Sequence, residues 1–281
     1  MEIVNWSFIT FTGMCGRYVS VSKVLAIEKR FQVKADHPEL YIPNVNIGPG
    51  QTGPIITSEE PDLLQFSHFG LTPSWSKKKM YLFNARAEGD HNQENSIQYH
   101  GSMGIVSKPS FRNLIRKKRC LVPADAFLEG PEKEKLSKPF VVYLKNKQRP
   151  FAFAGLYDDW IDQETGEVYR SHSIITVWAN PLMQKIGHHR SPVILEPGQE
   201  RLWLDTELPL ADVTSMLYPY PAEEMNAYPI KPDIKRPGTN ELSLLEPIGQ
   251  RLQPEYEYEI YEELKLEGMG MTTARRRKLD L

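Results

Sequence analysis

The chain has 281 residues, 40% hydrophobic and 25% charged, a formal net charge of −2, and two cysteines, Cys15 and Cys120. That length suits one large domain or a domain with a tail, and the apolar content supplies a sizeable core, which excludes a mainly disordered chain. Near-neutral charge argues against non-specific coating of nucleic acid, the cysteine usage argues against a disulfide framework or zinc knuckle, and no apolar run approaches the roughly 18 residues of a membrane span.

The opening residues, MEIVNWSFITFTG, carry Glu2 where a signal peptide would be positively charged, and polar residues interrupt the apolar ones. Secretion is therefore not expected, and a reducing, cytoplasmic location is. Next comes Met14-Cys15-Gly16-Arg17-Tyr18, which reads as a second start. Helical spacing predicts a helix over 22–33, and a turn-rich stretch, NIGPGQTGP, covers 46–54. Residues 63–71 follow strand patterning, and GLTPSWSKKK (70–79) sets Trp75 beside three lysines. In FNARAEG (83–89), Asn84, Arg86 and Glu88 alternate with alanines, so an extended backbone would place the three polar side chains on one face. A helix is expected over 110–119, with Ser110 as its cap, and another near 210–217. Strands are expected over 139–145, 151–160 and 172–180. Strands outnumber helices, which predicts an α+β fold: a largely antiparallel, β-rich sheet or barrel with a few peripheral helices. After about residue 250 the composition changes to acidic-aromatic alternation and then Arg275-Arg276-Arg277-Lys278, the pattern of a charged, flexible tail over 251–281.

Several residues could carry chemistry. If Met14 is the working start, its removal leaves Cys15 with a free amine beside its thiol. An aldehyde condenses with such an amine, and the thiol then closes a five-membered thiazolidine. The plainer reading of Cys15 is a small buried thiol. Asn84, Arg86 and Glu88 suit phosphate or sugar binding, or else form an exposed ion-paired strand. Glu129 lies behind Phe127 and Leu128 in RCLVPADAFLEG, apolar surroundings that would raise its pKa and suit a general acid or base. His188, in IGHHRSPVIL, is a candidate proton shuttle, and no partner stands at metal-ligand spacing, so no metal and no cofactor is expected. Trp75 with its lysines has the stacking surface and positive charge of a single-strand binder, or is a half-buried tryptophan in a surface loop.

In this order, the motifs MCGRY (14–18), NIGPGQ (46–51), FGLTPSWSK (69–77), NARAE (84–88), the run from Pro109 to Glu129, FAFAGLY (151–157), IITVWAN (174–180), HHRSP (188–192) and MNAYPI (225–230) resemble the SOS-response-associated peptidase (SRAP) family of abasic-site processing proteins. The resemblance covers residues 14–250 and implies a β-rich domain there, a leader (1–13) missing from the mature protein, and no partner membrane. It implies a monomer that captures ring-opened abasic deoxyribose in single-stranded DNA, associates with the nucleoid when bound, and works near replication-fork proteins. By the same resemblance, Cys15 forms the thiazolidine crosslink and His188 moves the proton that opens the sugar. Glu129 assists proton transfer at the amine, and Asn84 positions the Cys15 terminus or the sugar. Arg17 and Arg86 hold phosphates, and Trp75 stacks on the disrupted duplex or bent strand.

The resemblance also implies an autopeptidase (hydrolase) and a lyase-like activity beside the crosslinking, and two other activities fit the same residues: a thiol peptidase that releases its own leader before Cys15, and a non-catalytic reader of modified single-stranded DNA. The sequence also departs from the family pattern. Gly130 stands where tryptophan usually follows the glutamate, which is expected to loosen the pocket wall, and Ser191 stands where methionine is typical.

Overall fold

A computed structural model describes residues 16–145, 149–236 and 238–254. In chain order the elements are β1 (Arg17–Ser20), α1 (Val24–Phe31), β2 (Lys34–Ala35), β3 (Asn44–Ile47), β4 (Thr52–Thr57), β5 (Leu63–Phe69), β6 (Asn84–Arg86), α2 (Leu114–Lys117), β7 (Arg119–Ala124), β8 (Ala126–Glu129) and β9 (Phe140–Leu144). They continue through β10 (Phe151–Ile161), β11 (Val168–Trp178), α3 (Pro181–Ile186), β12 (Arg190–Pro192), β13 (Ile194–Leu195), α4 (Glu200–Leu204), α5 (Leu210–Ser215) and β14 (Met225–Pro229).

Five strands close on themselves. Antiparallel pairing runs β11–β10–β7–β4–β5, and β5 returns to β11 in parallel through Ser171 opposite His68 and His172 opposite Phe69. A second antiparallel sheet, β14–β9–β8–β1–β3, lies alongside. The fold is therefore β-rich and mostly antiparallel with small helices at its margins, as expected.

Alternation along the ring strands explains why they are buried almost throughout. Ile55, Cys120, Val122, Phe153 and Ile174 join one apolar cluster, which also holds Tyr18, Phe127 and Val142 of the second sheet. Their neighbours Ile56, Leu121, Ala152, Ala154 and Ile175 join another, with Trp203 and the helices. Successive side chains of a strand point to opposite faces, so a strand between two cores has no polar face. A third cluster, with Val19, Leu128, Val141 and Tyr143, covers the far side of the second sheet.

The turn between β7 and β8 is fixed by Asp125. Its carboxylate accepts from the backbone N–H groups of Val21 and Ser22 at 2.6 and 2.8 Å and from the Ser22 hydroxyl at 2.5 Å. This clamp ties β1 to β8 and so aligns Arg17 opposite Leu128, one residue before Glu129.

One local expectation changes, while the tail expected over 251–281 lies outside the described residues beyond 254. The helix expected over 110–119 covers only Leu114–Lys117, and Asn113, not Ser110, stands at its cap without a side-chain capping bond. Residues 251–254 stay tied to the domain, with the Leu252 N–H donating to the Ala227 carbonyl at 2.8 Å and the Gln253 N–H to Asn226 Oδ1 at 3.0 Å.

Candidate active site

His188 owes its place to the way α3 begins and ends. Asn180 caps the start, accepting from the Met183 N–H at 2.9 Å, and Pro181 occupies the first turn, where a missing N–H costs nothing. Gly187 ends the helix at φ 84, with its N–H donating to Gln184 and that of His188 to Met183, both at 2.9 Å. This is the Schellman pattern, which needs a residue that tolerates the left-handed region. Ser191, the departure from methionine, accepts from the Asn180 N–H at 3.1 Å and so ties β12 to the helix start.

His188 then points at β8. Its Nε2 lies 3.3 Å from Glu129 Oε1, and both side chains are buried. The Gly130 N–H donates to the same Oε1 at 3.1 Å. On the other side of the ring, Nδ1 is 3.0 Å from the Arg190 carbonyl oxygen and 3.3 Å from the Arg190 nitrogen. The Arg190 N–H donates only to a bare Nδ1, whereas the Arg190 carbonyl accepts only from a protonated one, so the two contacts ask for opposite tautomers, and the shorter favours a hydrogen on Nδ1. Nε2 and Oε1 then need one proton between them, which the pair can give or take.

This pair opens onto a cavity of about 190 Å³. Gly16 and Arg17 border it, as do Pro49, Phe83 and Leu128, and its remaining wall comes from Gly130, Pro131, Glu132, Lys135 and Leu136. The lining is mostly apolar, and the Arg17 cation faces it half-buried. Its guanidinium is aimed by Asn46 Oδ1 at 2.6 Å, and burial lowers its pKa. The segment after Gly130 does not loosen the pocket, contrary to expectation. It closes the wall, because the Glu132 N–H donates to the Gly187 carbonyl at 3.0 Å and the Glu132 carboxylate meets His189 at 3.3 Å.

The other candidate residues lie elsewhere. Asn84 and Arg86 are half-buried on β6, with Ala85 buried between them, and Asn84 follows Phe83 at the cavity. Glu88 leaves their face. It is wholly buried and pairs with Arg190, each carboxylate oxygen 2.8 Å from a guanidinium nitrogen. The expected grouping of Asn84, Arg86 and Glu88 on one face thus fails, because β6 ends at Arg86 and the chain turns Glu88 inward. The sequence reading missed this pair, which spans 102 positions: Glu88 reads with Asn84 and Arg86, and the arginine of HHRSP with its histidines.

Trp75 is 61% exposed and does not border the cavity. Its loop is nonetheless fixed: the Ser74 N–H donates to Asp158 Oδ2 and Trp160 Nε1 to the Ser76 carbonyl, both at 2.7 Å. Cys120 is buried, and burial raises its thiol pKa well above the usual range. Cys15 lies outside the described residues, immediately before Gly16. Among the described residues no cluster of three or more His, Cys, Asp or Glu is arranged to hold a metal, and no helix is long and apolar enough to cross a membrane.

Comparison with known proteins places this geometry in a lineage. Residues 14–237 match the family model described as SOS response associated peptidase (SRAP). The chain is 35% identical over 240 residues to the abasic site processing protein YoqW of Bacillus subtilis, covering 83% of this chain and 99% of that protein. It is 29% identical to the abasic site processing protein HMCES of Gallus gallus, covering 68% of this chain and 62% of the relative. A crystal structure of a protein from Bacteroides thetaiotaomicron superposes with a TM-score of 0.70 at 30% identity, covering 83% of this chain and 99% of that one. A Bordetella bronchiseptica protein shares the fold at a TM-score of 0.61 and 24% identity, covering 77% and 100%. The chain belongs to the SOS response associated peptidase (SRAP) family.

Proposed function

We propose that this protein processes abasic sites in single-stranded DNA by capturing the lesion covalently on Cys15 once that residue is N-terminal. The observation that carries the reading is the Glu129–His188 pair at 3.3 Å, set in a cavity that the residue following Cys15 borders together with the Arg17 cation. The named relatives support it, since those of Bacillus subtilis and Gallus gallus are both abasic site processing proteins.

The chemistry balances without a cofactor. His188 and Glu129 move the proton that opens the deoxyribose hemiacetal to its aldehyde. The Cys15 amine adds to the aldehyde carbon, and water leaves as the Schiff base forms. The thiol then adds to the imine carbon, forming the C–S bond while its proton passes to nitrogen, which gives a thiazolidine. Two bonds must reopen before the aldehyde is released. A buried pair that holds one proton suits both the addition and the loss of water. Asn84 positions the sugar or the Cys15 terminus, Arg17 and Arg86 hold phosphates, and the exposed Trp75 stacks on a base.

The test uses protein begun at Met14 and a uracil-excised single-stranded oligonucleotide. A heat-stable shifted band is expected, lost in Cys15→Ala and slowed about 10²- to 10⁴-fold in His188→Asn, the usual range for one proton-transfer group. A band of undiminished intensity with Cys15→Ala overturns the reading. Mass spectrometry of the purified full chain bears on the peptidase alternative, since an intact Met1 terminus shows that the leader is not self-released.

A further inference from the structure

We propose that Glu88 and Arg190 are positioning residues that hold His188 in the tautomer from which Nε2 exchanges a proton with Glu129. The inference rests on the reading of His188 as the proton shuttle. Neither side chain borders the cavity, and both are wholly buried, so neither is offered as a contact to substrate.

A buried ion pair is a poor stabiliser, because desolvating two charges offsets most of their attraction and apolar side chains of the same volume often do as well. This pair nonetheless gives both terminal guanidinium nitrogens of Arg190 acceptors, while the buried Nε finds none among the described residues. Both Glu88 oxygens meet the guanidinium at 2.8 Å, the Thr176 carbonyl accepts at 2.8 Å, and Thr176 Oγ1 and Asn95 Oδ1 lie at 3.3 Å. What the arrangement fixes is the Arg190 backbone. Arg190 is the first residue of a three-residue strand, paired there with Trp178. Its carbonyl is the acceptor for His188 Nδ1 at 3.0 Å. A side chain locked into the core therefore holds still the one backbone group that keeps the hydrogen on Nδ1 and leaves Nε2 toward Glu129. Were that carbonyl to turn away, the imidazole could take the opposite tautomer or swing from Oε1, and misplacement of about 1 Å costs proton-transfer chemistry about 100-fold.

Nitrogen-15 NMR of the imidazoles in the full-length chain, with His188 identified by its loss in His188→Asn, reads the tautomer directly. The wild type is expected to show His188 with a hydrogen on Nδ1. The double variant Glu88→Met with Arg190→Met removes the pair without stranding either charge. Folded, it is expected to show a mixed tautomer and to form the oligonucleotide adduct about 10- to 100-fold more slowly, with unchanged affinity for the strand. A wild-type His188 protonated on Nε2 alone, or a folded double variant that keeps both the wild-type signature and the wild-type rate, overturns the proposal. If the double variant does not fold, the wild-type spectrum decides alone. If the wild type forms no adduct, the functional reading fails while the spectrum still judges the positioning.

Discussion

Gly130 departs from the tryptophan usual in the family, and the structure shows why a side chain cannot sit there. A Cβ at residue 130 would lie 1.9 Å from the Lys135 carbonyl oxygen, 2.6 Å from its carbon and 3.0 Å from the Lys138 oxygen. Backbone cannot swing aside as a lysine tip can, so in Gly130→Ala the segment that walls the cavity must retreat. Moving from 1.9 to at least 3.0 Å is a shift of about 1.1 Å. Overpacking of this kind costs about 1–3 kcal/mol, and losing the Glu132–Gly187 backbone bond adds about 1 kcal/mol. A net loss of about 2–4 kcal/mol lowers the melting temperature of a domain this size by about 4–16 °C. Calorimetry measures the shift, and hydrogen exchange at the Glu132 amide locates it. Gly198→Ala serves as the control, since nothing lies within 4 Å of its added Cβ. It should stabilise by about 0.4–1 kcal/mol by restricting the unfolded chain. A Gly130→Ala protein that melts within about 1 °C of the wild type, with the Glu132 amide still protected, refutes the steric argument.

His172 sits wholly buried inside the ring of strands, with Ser67 Oγ 2.7 Å from Nδ1, and burial first and His68 second push its pKa down to about 3. An ordinary histidine titrates near 6.5, so between pH ~6.5 and ~3 the unfolded chain binds a proton that the folded chain refuses. Stability should therefore fall on acidification across that window by up to about 1.4 kcal/mol per pH unit, and His172→Gln should flatten the slope in urea unfolding between pH 7 and 5. Equal slopes would remove His172 as the cause. Trp75→Ala should change stability by less than about 0.5 kcal/mol, because the ring is exposed, yet weaken single-strand binding by about 1–3 kcal/mol. Fluorescence anisotropy with an undamaged oligonucleotide separates the two, and unchanged affinity rules Trp75 out as a stacking surface.

The sequence by itself determined the local elements whose patterns are complete within a few residues. Apolar alternation or apolar runs located β5, β9, β10 and most of β11, helical spacing located α1 and α5, and the motif order identified the family. Patterning left β7 unassigned although Arg119–Ala124 is buried at every position, because the apolar run is short and Pro123 interrupts it. The helix expected from Ser110 shrank because a capping residue type carries weight only if the first turn forms at that point. Tertiary structure alone decided which distant groups meet. Glu129 and His188 are 59 positions apart, and nothing in either segment encodes their contact; it follows from the Asp125 clamp that aligns β8 with β1 and from the Gly187 turn that ends α3. Glu88 reads as one of three polar side chains on a strand until β6 ends at Arg86 and the core takes the carboxylate in. Spacing along a chain reports which side chains share a face, while pairing of charges across a core depends on how the strands close, and that is settled only when the whole ring is assembled.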